Sequence, residues 1–311
     1  LSISEPSFDY IIIILGEMQM ERLSRCQEIE RSIIKRFRKP IWNAFIKGVK
    51  AYELVKPGDR IAVCISGGKD SMLMAKCMQH LHHYSDIPFE IEFLCMNPGY
   101  AEENWELIQK NAETLQIPLH TFETRIFDVV DKQIHHPCYL CARMRRGHLY
   151  NAAQQMGCNK IALGHHFDDV IETILMGMLY GSQTQTMMPK LHSANFPGME
   201  LIRPMYYMRE ADIIRWAEAN DLHFIQCACK MTKKNPEQET MSKRKETKAL
   251  IAQLKKINPG VEKNIFNSVC NVNLRTIISY HEGDEYHHFL DDYDARTAAL
   301  RAGENVGETQ E

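Results

Sequence analysis

Apolar residues recur at helical spacing over residues 21–50, where Ile33, Ile34, Phe37, Ile41 and Phe45 share one face and Arg31, Lys35, Arg36, Arg38 and Lys39 take the rest. Pro40 divides this stretch into two predicted helices, because a proline inside a helix removes a hydrogen bond and clashes with the turn before it. The turn KPGD leads into RIAVCIS (60–66), a continuous apolar run of strand length, and then into GGKDSMLMAKCMQHL, two glycines followed by a helix. The alternation repeats: strands are predicted at 89–97, 118–125 and 160–166, and helices at 102–115, 143–156 and 169–180. Strands alternating with helices predict a parallel sheet with helices on both faces, an α/β fold whose ligands gather at the carboxyl ends of the strands. A long stretch with few helix cues follows (181–205), then a helix at 209–221, a short strand at 223–227 and terminal helices at 243–256 and 261–269.

This organisation divides the chain into an extension (1–20), a basic helical region (21–54), an α/β domain (55–230), basic carboxyl-terminal helices (231–280) and an acidic, poorly ordered tail (281–311). Met18 or Met20 is the expected natural start. The longest aliphatic run, Ile11 to Leu15, is far short of the ~20 apolar residues that span a bilayer, so no membrane partner is expected. With 37 Lys+Arg against 40 Asp+Glu the net charge is −3, but the distribution is uneven. Residues 230–256 carry nine Lys/Arg and three Glu, whereas 281–311 carry nine acids and two Arg. The basic block suggests either a polyanion partner or a plain solvated helix face. Four of the ten cysteines fall in one C-x-x-C and one C-x-C pair rather than a disulfide framework, which favours metal ligation in a reducing, cytoplasmic compartment.

The strongest chemical signal is Ser66-Gly67-Gly68-Lys69-Asp70-Ser71 directly after a strand. Glycines let the chain turn so that successive N–H groups face an anion, the helix start adds partial positive charge, and the Ser and Lys side chains complete a phosphate cradle. The spacing is not that of a Walker A loop, which has a glycine where Val63 stands and a Ser or Thr where Asp70 stands. Downstream, GHHFDD (164–169) places two acids where a helix cap and a catalytic carboxylate are both reasonable. Cys138-Tyr139-Leu140-Cys141 can put two thiolates on one metal or cluster, and Cys227-Ala228-Cys229 offers a further ligand. The four together also allow a tetrahedral zinc site, and the first pair alone a redox dithiol. Cys64 and Cys95, within apolar strands, read as small core residues.

SGGKDS after a strand resembles the PP-loop ATP pyrophosphatases, which adenylate a substrate oxygen and release pyrophosphate. In order, SGGKDS, CYLCARMRRG, KIALGHHFDD, MLYGSQTQTMMPKL and IRPMYYMREADI resemble the tRNA 2-thiocytidine synthetase family (TtcA) over about residues 30–230. The resemblance implies ATP on Ser66, Gly67, Gly68, Lys69, Asp70 and Ser71, with Gly164 and His165 flanking the nucleotide and Asp168, in preference to Asp169, binding Mg²⁺ or positioning the reacting groups. It also implies a 4Fe-4S cluster on Cys138, Cys141 and one of the later pair, with Cys229 chosen over Cys227, and one iron left open for sulfur. Lys69, Asp168 and Cys229 are then the expected catalytic residues.

The implied activity is ATP-dependent 2-thiolation of a tRNA cytidine. The base O2 attacks the α-phosphate, pyrophosphate leaves, and sulfur displaces AMP. Its expected partners are the tRNA anticodon loop and a sulfur donor such as a cysteine desulfurase, and a homodimer is left open. The shortened C-x-C, the stretch Asn97 to Tyr100 and the insert after Cys229 depart from the cytidine enzymes and suggest a branch of that family with an altered substrate. 2-Thiouridine synthesis is the alternative, against which stands that only Cys26 precedes the loop where the uridine relatives carry cysteine pairs. A PP-loop ligase with zinc in the cysteine site and a non-enzymatic iron-sulfur sensor are the other readings.

Overall fold

The computed structural model describes residues 23–127, 137–225 and 243–294, with the side chains of the 137–155 helix described from Leu140. The chain divides into two compact units, Leu1–Gln253 and Leu254–Glu311. In the first, helix α1 (Arg25–Ile34) opens on a capping box at Ser24, and Pro40 lies in a π-helical turn, Arg38–Trp42, that leads into α2 (Asn43–Ala51). The proline thus divides the amphipathic stretch by widening one turn rather than by opening a loop.

There follow β1 (Arg60–Ile65), α3 (Lys69–Tyr84), β2 (Glu90–Asn97), α4 (Glu102–Thr114), β3 (Leu119–Glu123), α5 (Pro137–Gln155), β4 (Lys160–Ala162) and α6 (Phe167–Gly181). Strands β5 (Lys190–His192) and β6 (Glu200–Ile202) and helix α7 (Glu210–Ala219) come next, and α8 (Lys243–Ile257) begins in this unit. The six strands form one sheet in the order β3-β2-β1-β4-β6-β5, parallel throughout except for β5.

Alternate residues of β1 serve two separate cores. Ile61, Val63 and Ile65 pack with Met72, Met74 and Met78 of α3 and with Trp216 of α7, whereas Ala62 and Cys64 pack with Tyr150 and Ala153 of α5. That is the period-2 geometry of a strand buried on both faces, and it confirms the expected helical layers. Each fully buried aliphatic side chain contributes about 1.5–3 kcal/mol, so the apolar run of β1 anchors the unit. Cys64 and Cys95 lie in these cores as expected, and burial pushes both thiols up to about 12. Charge is buried in this unit as well. Lys160 of β4 is held by Asp59 at 2.7 Å, Glu200 at 3.2 Å and the Leu54 carbonyl at 3.0 Å, which offsets the desolvation of its ammonium.

The helix expected at 143–156 begins earlier, at Pro137, and three further elements differ from the sequence expectation. The strand expected at 160–166 ends at Ala162, since beyond Leu163 the chain turns away from the sheet toward the start of α3. The stretch with few helix cues contains the β5–β6 hairpin, whose three-residue strands are too short to register as alternation. His223–Ile225 form no strand. Phe224 stacks on Trp216 at 6.3 Å instead, and Gln226 and Cys227 lie outside the described residues.

The second unit contains the end of α8, then α9 (Val261–Ser268) and a hairpin of β7 (Ser279–Glu282) and β8 (Glu285–His288). The hairpin occupies the start of the stretch read as a solvated acidic tail. No helix among the described residues is long and apolar enough to cross a membrane.

Candidate active site

Strand order reverses beside β1: β2 lies on one side of it and β4 on the other, so the carboxyl ends of β1 and β4 frame a crevice. The loop after β1 fills its floor. Gly67 has φ +84°, and a Cβ there would stand 2.4 Å from Ile108 and 2.9 Å from Ile225, so only glycine makes this turn. Gly68 is the N-cap of α3 and offers no side chain, which leaves the first N–H groups of the helix facing the crevice. The two serines lock the loop: Ser66 N–H donates to Ser71 Oγ at 3.1 Å, their hydroxyls lie 3.2 Å apart, and Ser71 donates to the Gly68 carbonyl at 3.0 Å. From β4, Gly164 approaches so closely that a Cβ would lie 3.2 Å from Asp70 C and Ser71 N.

Charged groups crowd the rim. Lys69 Nζ reaches Asp70 and Glu210, each at 3.3 Å. His166 caps α6 with a capping box: its N–H donates to the Asp169 carboxylate at 3.0 Å, and its Nδ1 accepts from Asp169 N–H at 3.4 Å. Asp168 accepts from Arg209 Nη2 at 2.9 Å and Nε at 3.3 Å, and from Glu210 N–H at 2.7 Å. This carboxylate therefore also caps the start of α7. Asp169 pairs with Arg244 of α8 at 2.8 Å, Glu172 faces the same guanidinium at 3.6 Å, and Glu210 is shared between Lys69 and Lys248.

Burial raises the Asp70 carboxyl despite Lys69, and one of its oxygens, Oδ1, is buried without a hydrogen bond. Burial works the same way on Asp169 and Glu210, but His166 and Arg244 at the first, and Lys248 and Lys69 at the second, outweigh it and hold both below the usual carboxylate range. His165 accepts from Arg203 Nε at 3.3 Å. Burial, reinforced by that guanidinium, lowers its pKa to about 4, which keeps the ring neutral.

The cysteine helix is wired to the loop. Arg145 of α5 donates to Tyr100 Oη at 2.6 Å, and Tyr100 donates to the Ser66 carbonyl at 3.3 Å. Cys138 lies in the first turn of α5, and Cys141, half-buried, follows three residues on. Cys227 and Cys229 lie outside the described residues, and among the described residues no three His, Cys, Asp or Glu form a metal site.

The structure thus brings Ser66, Gly67, Gly68, Lys69, Asp70, Ser71, Gly164, His165 and Asp168 to one crevice. The sequence reading did not single out Glu210, Arg209, Arg203, Arg244, Lys248 and Tyr100 as site residues. Arg203, Arg209 and Glu210 sit within the quoted IRPMYYMREADI, where their alternation with apolar residues was the only signal.

Residues 33–234 match the family model of the PP-loop domain. A tRNA-cytidine(32) 2-sulfurtransferase of Vibrio parahaemolyticus is 34% identical over 244 residues, 76% of this chain and 77% of that protein. The chain belongs to this PP-loop family. A Geobacter metallireducens protein of the same name is 33% identical over 248 residues, 78% of this chain and 93% of its own length. In fold, the chain is similar to the U34-tRNA thiolase NcsA of Methanococcus maripaludis, solved with its [4Fe-4S] cluster. The TM-score is 0.58 at 20% identity, over 78% of this chain and 84% of that one.

Proposed function

We propose that this protein is an ATP-dependent tRNA sulfurtransferase that replaces O2 of a tRNA cytidine by sulfur. The observation that carries the reading is the glycine-built anion cradle at 66–71, set against a carboxylate rim in a chain one-third identical to tRNA-cytidine(32) 2-sulfurtransferases. In this reading the N–H groups at the start of α3 and Lys69 hold the phosphates of ATP. The cytidine O2 attacks the α-phosphorus, the bond to the β-phosphate oxygen breaks, and pyrophosphate leaves. Sulfur at the sulfide level then adds to C2 and AMP departs with the original oxygen. The chain contributes preorganised charge where the phosphates change charge, and in most such transfers this electrostatic stabilisation accelerates the reaction more than any other single effect.

For Mg²⁺ the one donor that fits is Asp70 Oδ1, a hard oxygen buried without a hydrogen bond and 3.9 Å from His166 Nε2, and an ion bound there with ATP would neutralise phosphate charge. A 4Fe-4S cluster would be held by Cys138 and Cys141, three positions apart at the start of α5, together with Cys229 or Cys227. When bound, it would present sulfur at its open iron. A cysteine desulfurase is the matching source of that sulfur.

For tRNA, the exposed Arg31, Lys35, Arg36, Arg38 and Lys39 form a basic stripe suited to backbone phosphates, and loop bases are the ones a protein can splay out. Affinity for tRNA should therefore fall steeply as salt rises.

The test is to incubate anaerobically reconstituted protein with bulk tRNA, ATP, Mg²⁺ and sulfide, and to weigh the digested nucleosides, where exchange of oxygen for sulfur adds about 16 Da. The expected product is a thiolated cytidine that vanishes in Cys138→Ala and without ATP. Thiolated uridine would move the substrate, and no thiolated nucleoside from protein with an intact cluster would overturn the reading.

A further inference from the structure

Helix α8 is the densest part of the basic block, yet two of its cations turn inward. Arg244 and Lys248 are one helical turn apart and so share a face. Arg244 lies on Asp169 at 2.8 Å and faces Glu172 at 3.6 Å, while Lys248 holds Glu210. The other oxygen of Glu210 binds Lys69 at 3.3 Å, so one carboxylate stands between the loop lysine and the helix lysine. We propose that Arg244 and Lys248 bind the β- and γ-phosphates of the nucleotide and the pyrophosphate released from it. This inference rests on the ATP reading of the site and assigns its missing cations.

Charge supports the assignment. The rim has five carboxylates, Asp70, Asp168, Asp169, Glu172 and Glu210, and Lys69, Arg203 and Arg209 supply three cations against them. With the histidines left aside, the crevice at full ionisation would carry −2 and repel a triphosphate. Arg244 and Lys248 bring it to neutrality, and a divalent cation then tips it positive. The two cations can change partners, because their side chains are 44% and 57% exposed and can swing to another anion, whereas the carboxylates they leave, 17% and 22% exposed, stay fixed in the crevice. A bound triphosphate would take over the two cations, and Mg²⁺ carried with it would supply positive charge to offset the carboxylates they leave. The basic block is thereby divided, with Arg244 and Lys248 serving the nucleotide and leaving tRNA to others.

The experiment measures calorimetric binding of the α,β-methylene analogue of ATP with Mg²⁺, and of AMP, to the full-length protein. Lys248→Met and Arg244→Met should each weaken the triphosphate analogue about tenfold and AMP by less than about threefold, with tRNA affinity unchanged. Lys248→Arg and Arg244→Lys should recover most of the loss, and Lys256→Met should behave as wild type. Equal losses for analogue and AMP, an unchanged analogue affinity, or a fall in tRNA affinity in its place would each overturn the assignment. If the wild type itself fails to bind the analogue, the ATP reading falls too. If the wild type binds and the variants match it, the assignment alone falls.

Discussion

The loop at 66–71 and the carboxylate rim above it face the same crevice but are specified in different ways. The loop is written in backbone geometry within six adjacent residues: a glycine at φ +84° that a Cβ would drive into Ile108, a second glycine at the helix cap, and two mutually bonded serines. The rim is written in charge. Asp168, Glu210 and Arg244 come from α6, α7 and α8, and Arg209 from the residue just before α7. Shape coded locally tolerates no substitution, whereas charge pooled from distant segments is redundant and responds to its surroundings. The loop should therefore fail abruptly when altered, and the rim by degrees.

The sharpest break is Gly67→Ala. The left-handed conformation costs an alanine about 1–2 kcal/mol, and the clash with Ile108 and Ile225 displaces the loop further. Misplacing reacting groups by about an ångström costs on the order of 100-fold, so ATP-dependent pyrophosphate release should fall by at least that much with little change in overall fold. Release rates near wild type would show that the loop geometry does not set the chemistry.

Asp168→Asn tests the rim. The amide still accepts from Glu210 N–H but loses its charge against Arg209, a change worth about 1.5–3 kcal/mol where such a bond acts in the reaction. A 10- to 100-fold fall in turnover at unchanged melting temperature marks Asp168 as part of the reaction, on the same arithmetic. A lower melting temperature with turnover intact would reduce it to the cap of α7.

This division also explains what could be read from the sequence. The SGGKDS loop and the buried β1 were legible because strand, glycine turn and helix lie in register within one short segment. Helix α6 and its acids were legible too, though not that Asp168 would be spent partly on the first N–H of α7, since nothing near residue 168 announces a partner 42 positions away. Arg244 and Lys248 were visible only as two of nine basic residues, and which face of α8 meets the crevice depends on packing. The β5–β6 hairpin escaped because three residues per strand carry no period.

The rim should also show in the pH dependence of stability. His165 titrates near 6.5 when unfolded and at about 4 when folded, because burial and Arg203 penalise its charged form. Between those values the unfolded chain holds the extra proton, so stability rises with pH. The contribution is complete above about pH 6.5 and is lost as pH falls toward 4. His165→Gln keeps an acceptor for Arg203 but cannot titrate, so its melting temperature should fall less over that window. A parallel fall in both proteins would assign the acid sensitivity elsewhere.

The smallest effect is expected where loop and cysteine helix meet. Tyr100 donates to the Ser66 carbonyl and accepts from Arg145, so its hydroxyl is the one link in this pair of bonds that a single atom removes. Tyr100→Phe preserves the ring, which Phe127 and Trp105 pack against at 5.7 and 6.5 Å, and deletes only the two hydrogen bonds. A hydrogen bond of this kind contributes about 0.5–1.5 kcal/mol net, somewhat more to the charged Arg145, so a three- to tenfold loss is the natural scale. Where the loss appears is informative. If Tyr100 only props the loop, the KM for ATP rises and the sulfur-transfer step is untouched. If it holds α5 in register with the nucleotide, kcat for thiolation falls while pyrophosphate release stays near wild type. In Arg145→Met with Tyr100→Phe, the double loss should be smaller than the sum of the single losses, because both variants cut the same link.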